Sequence, residues 1–239
     1  MITKKIETIE GPITLNVKTD LKKEITVDQY ERVINCLKSD KSDPAKTIEI
    51  TSVLSDIQEN TILQATEVDK AINTLGGIVN DMIVQWEEDI LQIEQKNDKG
   101  ETVIIIPRTV RFENLKKDFS IERNLSFYPL GARIAAENII REEMEANGIT
   151  TESGEVISKL SIKAGIELLA NYFYSYITGM PYDDIQVLAF MAEIRLLNAL
   201  DFIALNKYFF LNYPNFLVMK EKFWEGMKRE IKARLAKKK

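Results

Sequence analysis

The chain of 239 residues contains no histidine and one cysteine, Cys36. The first absence removes Ser-His-Asp and Cys-His catalysis, histidine-ligated zinc and imidazole acid–base chemistry together. The second removes an intramolecular disulfide and thiolate metal centres, and it fits a reducing compartment. Glycine and proline are scarce, ten and six, which favours long regular helices over the many tight turns of an all-β sandwich. "MITKKIETIEGP" has no apolar core of signal-peptide length. The most apolar window, 185–219, is interrupted by Glu193, Arg195, Asp201 and Lys207, so no membrane span is expected and the protein reads as one made in cytoplasm. Phosphate-loop and dinucleotide fingerprints are missing too. The one glycine pair, Gly76-Gly77, is not followed by Lys-Ser/Thr and reads as a helix stop.

What is present is ordinary globular composition, 45% apolar and 29% charged, in a length that suits one large domain or two modest ones. The net charge of −5 does not steer the whole molecule onto nucleic acid. The charge is uneven, however. Residues 217–239 carry nine Lys/Arg against three acids, a net +6, which leaves −11 on residues 1–216.

Alternation of Ile2, Ile6 and Ile9, then Ile13, Leu15 and Val17, around Glu10-Gly11-Pro12 predicts two short strands and a turn. Thr26 and Gln29 have capping-box spacing and open a helix over 27–38. Asp43-Pro44 opens a second through about Leu54, and Thr66 with Asp69 a third that the glycine pair ends. Two β-prone runs, Ile90–Gln95 and Glu101–Ile106, flank Asn97-Asp98-Lys99-Gly100 and predict a hairpin, with "RTVRFENL" as a further extended piece. From Gly131 a helix shows Ile134, Ala135, Ile139, Ile140 and Met144 on one face and stops at Asn147-Gly148. Others follow over about 159–177, ending at Gly179, and from Asp183-Asp184 to about Ala199. Another is capped by Asp201, and after the break at Tyr213-Pro214 a last one covers about 215–236. The expected fold is α+β, mostly α: an N-terminal strand pair with short helices (1–88), then a central β-hairpin and C-terminal helical bundle with a basic tail (89–239).

Two acidic clusters, Glu142/Glu143/Glu145 and Asp183/Asp184, are the raw material for a carboxylate enzyme. Neither has the spacing that aims acids into a core, and a solvated face and a helix N-terminus account for them. "NYFYSYITG" places Tyr172, Phe173, Tyr174 and Tyr176 together. Its helical setting, with no cationic residue nearer than Lys163 or Arg195, reads as core packing rather than base stacking. No catalytic, cofactor-binding or metal-ligating residue is assigned.

The C-terminal stretch carries the candidate site. Phe202, Leu205 and Phe209 share one helical face, with Asn206 and Lys207 opposite. Tyr208, Phe209 and Phe210 are successive and cannot share one inward stripe. Beyond Pro214, Phe216, Phe223 and Trp224 lie among lysines. This excess marks a surface for another chain, with Tyr208, Phe209, Phe210, Phe216, Phe223, Trp224, Lys228, Arg229 and Lys232 as its candidate partner-binding residues. The opposing reading is a C-terminal helix that folds back. The basic run "KREIKARLAKKK" suits phosphate, an acidic protein or solvent alone.

The strings "EITVDQYERVINCLKSDKSDPAKTIEITSVLSDI", "DKGETVIIIPRTVRFENL", "DFSIERNLSF" and "ALDFIALNKYFF" resemble small proteins of tailed bacteriophages over roughly residues 24–220. These are tail assembly chaperone-like factors and the portal- and tail-region ring or internal cargo proteins of crAss-like phages. The N-terminal strand pair and the lysine tail fall outside the resemblance. It implies a non-enzymatic virion or assembly protein, present in the virion and made in the host cytoplasm. Its partners would be copies of itself and neighbouring virion proteins, and its basic tail would meet packaged DNA or an acidic protein surface. Two other classes stand beside it. One is a nucleic-acid-binding module using the tail; the other is a histidine-free enzyme built on the acidic clusters.

Overall fold

In the computed structural model, which describes residues 1–121, 130–146 and 161–209, β1 (Ile2–Thr8) and β2 (Gly11–Val17) pair antiparallel from Ile2–Val17 to Thr8–Gly11. Gly11 closes the two-residue turn at φ 116°, a conformation that favours glycine. Only one face of the hairpin is covered, by way of Ile6, Leu15 and Val17.

Helix α1 (Val27–Lys38) begins at the capping box. Thr26 Oγ1 accepts from the Gln29 N–H, and Gln29 Oε1 accepts from the Thr26 N–H, each at 3.3 Å. Helix α2 (Asp43–Ser55) follows, its cap one residue earlier than expected, at Ser42. A short α3 (Glu59–Leu63), which no sequence signal marked, leads into α4 (Val68–Gln92).

The expected stop at Gly76-Gly77 is wrong, because α4 runs through the pair for 25 residues. Leu75, Ile78, Val79, Met82 and Trp86 are all buried, so helical periodicity continues across the glycines. Burial of that face outweighs a propensity cost of about 1 kcal/mol per glycine. Trp86 Nε1 donates to Thr19 O at 2.8 Å, and the buried Asp89 takes Lys22 Nζ at 3.0 Å, fixing α4 to the loop before α1.

The hairpin is present but shorter than expected: β3 (Glu94–Lys96) pairs with β4 (Thr102–Ile104), and Ile90–Gln92 is the last turn of α4. "RTVRF" supplies β5 (Thr109–Phe112), which pairs with an unexpected β6 (Lys117–Ser120). Helix α5 (Leu130–Ala146) buries Ala132, Ala136 and Ile140, whereas Ile134, expected inward, is 50% exposed. Helix α6 (Ile162–Thr178) starts at the Ser161 cap and ends at Gly179 with φ 72°. Helix α7 (Asp184–Arg195) starts at the Asp183 cap. The last described helix, α8 (199–209), is capped not by Asp201 but by Asn198, whose Oδ1 accepts from the N–H groups of Leu200 and Asp201. The fold is α+β and mostly helical, with three small antiparallel strand pairs among the described residues. The expected stop at Asn147-Gly148, the break at Pro214 and the helix over 215–236 lie outside them.

Two apolar clusters form the interior. One draws on residues 6–104 and adds Ala199, Leu200 and Ala204; the other takes Val27 and then residues from Val110 to Phe209. The hairpin residues Ile93 and Ile104 belong to the first cluster, and Ile106 just beyond packs against both. Helix α8 belongs to both, which is why its sequence is apolar nearly all round. Backbone bonds from Val27 N to Leu197 O and from Ala199 N to Ile25 O stitch the entry of α8 to that of α1. An ion pair of Arg195 with Glu31 ties the end of α7 to α1, and one of Lys207 with Glu94 ties α8 to β3.

Candidate interaction surface

Of the nine candidate partner-binding residues, Tyr208 and Phe209 are described. Phe209 is 1% exposed and meets the Tyr172 ring at 5.1 Å, so it is a core side chain rather than a partner contact. The helical face it shares with Phe202 and Leu205 decides this. Tyr208 is partly buried and packs against both clusters. Asn206, expected on the outer face, is instead buried against α6. A Cβ at Gly165 would stand 2.6 Å from its Nδ2, so glycine there lets the two helices approach. Phe210, Phe216, Phe223, Trp224, Lys228, Arg229 and Lys232 lie outside the described residues.

The "NYFYSY" aromatics pack inward, except Tyr176 at the edge. Phe173 meets Phe112 and Phe119 edge-on at 5.3 Å each, and Tyr174 meets Phe190 at 5.9 Å. Such rings lie in the range of favourable tilted contact, and none offers a free stacking platform. Tyr182 donates to Asn171 Oδ1 at 2.7 Å and lies against Gly131, where a Cβ would come within 2.5 Å of its ring. Burial, with the Asp184 carboxylate beside it, pushes its phenol up from the ordinary value.

The acidic clusters do not converge. Glu142 and Glu145 are exposed, while Glu143 accepts from Ser161 N (3.0 Å) and Oγ (2.7 Å) and so braces the start of α6. Asp183 caps α7 by accepting from Gln186 N at 3.0 Å, and Asp184 is exposed beside it. Among the described residues, no three His, Cys, Asp or Glu side chains gather as metal ligands, and no helix is long and apolar enough to cross a membrane. Cys36 is buried. Desolvation, and the Glu49 carboxylate to which it donates at 3.2 Å, push its thiol up to about 11, which leaves it unreactive at neutral pH. A cleft of about 360 Å³ lies between α2 and α4, with Gly76 and Gly77 in its lining.

The surface that sequence reasoning missed is on α7. Val187, Phe190 and Ile194 face the core, yet the opposite side is also apolar. Ile185 (75% exposed), Leu188 (64%), Ala192 and Leu196 recur at intervals of three, four and four and share one outward stripe. The signal was present in the sequence as a second apolar face, but a helix apolar all round does not say which side is left bare. An exposed apolar stripe on a helix offers dispersion and desolvation to a partner, and no acid–base chemistry. No protein-family model matches the chain, and neither does any curated protein or solved structure.

Proposed function

We propose that the chain is a non-enzymatic structural or assembly component of a tailed-bacteriophage particle. In this reading it is a ring or internal cargo protein of the portal and tail region, working by contact with copies of itself and with neighbouring virion proteins. The observation that carries this is the outward apolar face of α7, an association surface on a chain whose two acidic clusters face solvent or brace helix starts. The resemblance over residues 24–220 supplies the setting. The tail of net +6 would meet an acidic protein surface or packaged DNA.

The test is quantitative mass spectrometry of purified particles of the virus that encodes the chain. A fixed, stoichiometric copy number relative to the capsid protein is expected. Complete absence from particles and from assembly intermediates would contradict the reading.

A further inference from the structure

We infer that the outward stripe of α7 is the docking site for the C-terminal segment of a second copy of this chain, joined head to tail. The inference rests on the assembly reading above and names the partner for that site.

Three observations converge. The stripe of Ile185, Leu188, Ala192 and Leu196 spans twelve residues, about 17 Å from first to last. Thirty residues follow Phe209, and within them Trp224, Met227, Ile231 and Leu235 recur over an equal span of twelve residues at the same intervals of three, four and four. That spacing makes one face of the helix which the sequence predicts over 215–236, and two such faces interlock as ridges and grooves. The small Ala189 and Ala192 leave room between the larger side chains of α7 for the side chains of a facing helix.

Charge sets the direction and favours a tail on a body over a body on a body. Asp183 and Asp184 stand exposed at the head of α7, and Lys237, Lys238 and Lys239 end the chain. An antiparallel arrangement brings the lysines to the aspartates, Leu235 to Ile185 and Trp224 to Leu196. Residues 1–216 carry −11 and residues 217–239 carry +6. Two bodies therefore repel, while a tail and a body attract. A symmetric α7–α7 contact would need Arg195 to meet the partner's aspartates, and Arg195 is already engaged by Glu31 and Asp28. Each copy then offers one socket and one plug, so the contact is heterologous and propagates into a ring or filament.

The test uses two full-length variants, a socket variant (Ile185→Asp with Leu188→Asp) and a plug variant (Ile231→Asp with Leu235→Asp). Molar mass is read by light scattering, and folding is checked by circular dichroism. The unmodified chain is expected to be oligomeric. Each variant alone is expected to be monomeric, with association weakened roughly a thousandfold by two buried charges in place of two apolar side chains. Mixed, the two are expected to form a one-to-one pair that grows no further, because one intact socket and one intact plug remain.

A monomeric unmodified chain, a plug variant that stays oligomeric, or a mixture that forms no pair would each overturn the proposal. Should the socket variant fail to fold, Asp184→Lys serves in its place. It is expected to weaken association, and Lys238→Glu in the same chain to restore it; no restoration counts against the contact. A monomeric chain found at fixed copy number in particles would remove this contact and leave the assembly reading standing. A head-to-tail oligomer absent from particles would do the reverse.

Discussion

Replacing Gly76 and Gly77 by alanine decides whether α4 is one helix or two. Both glycines lie inside α4 (Val68–Gln92), and neither has a positive φ. A Cβ at Gly77 meets nothing within 4 Å, and one at Gly76 comes no nearer than 3.7 Å to Thr47 Oγ1, an ordinary contact. Each change therefore adds no clash and removes the excess freedom that glycine gives the unfolded chain, about 1 kcal/mol per site. The double variant is expected to gain about 2 kcal/mol, raising the melting temperature by roughly 4–8 °C for a chain of this size. Urea unfolding followed by far-ultraviolet circular dichroism measures it, with the midpoint moving up at unchanged slope. A helix that stopped at the pair would hold a glycine in the left-handed region, where alanine costs stability. Destabilisation by either substitution would therefore refute the continuous helix and the packing argument behind it.

Three further outcomes follow from the interior. Phe209→Ala is expected to cost about 3–5 kcal/mol in chemical denaturation, because the ring is enclosed by its own chain; a loss below 1 kcal/mol would place it at a surface. Gly165→Ala is expected to destabilise by about 1–3 kcal/mol through its clash with Asn206, and Asn206→Ala in the same chain to recover part of that loss; strict additivity would deny the contact. Burial raises the Asp201 carboxyl above its ordinary value, so the folded state holds that proton more tightly than the unfolded state. The ionised group thus costs stability, fully so above its folded pKa, and the cost fades as pH falls toward the unfolded value. Asp201→Asn is accordingly expected to be more stable than the unmodified chain at neutral pH, with the gap closing in acid; a gap that widens in acid would reverse the sign.

The parts of this fold that were legible in the sequence are those set by neighbours along the chain. The Thr26–Gln29 capping box, the Gly11 turn and the Gly179 stop are each decided within a few residues, and each formed where expected. The misses came from contacts distant in sequence. Packing of α4 on α2 carried the helix through Gly76-Gly77, and close approach to Gly165 turned Asn206 inward. Helix α8 read as too apolar for one molecule because a single sequence cannot reveal that two cores of the same chain share it. Of the surplus aromatics from Tyr208 to Trp224, Phe209 is a core side chain, and among the described residues a bare apolar face lies instead on α7, where Ile185 and Leu188 are not distinguishable in sequence from equally apolar neighbours.

The most direct test of the account is an isotope-mixed cross-linking measurement. A photoreactive residue at position 188 is introduced, light and heavy chains are assembled from an equal mixture, and the cross-linked peptides are identified by mass spectrometry. Position 188 is expected to be joined to peptides from residues 224–235, with light–heavy pairs as frequent as like pairs. Links confined to like-isotope pairs would place the tail on its own chain, and links to any other region would remove the tail from this surface altogether.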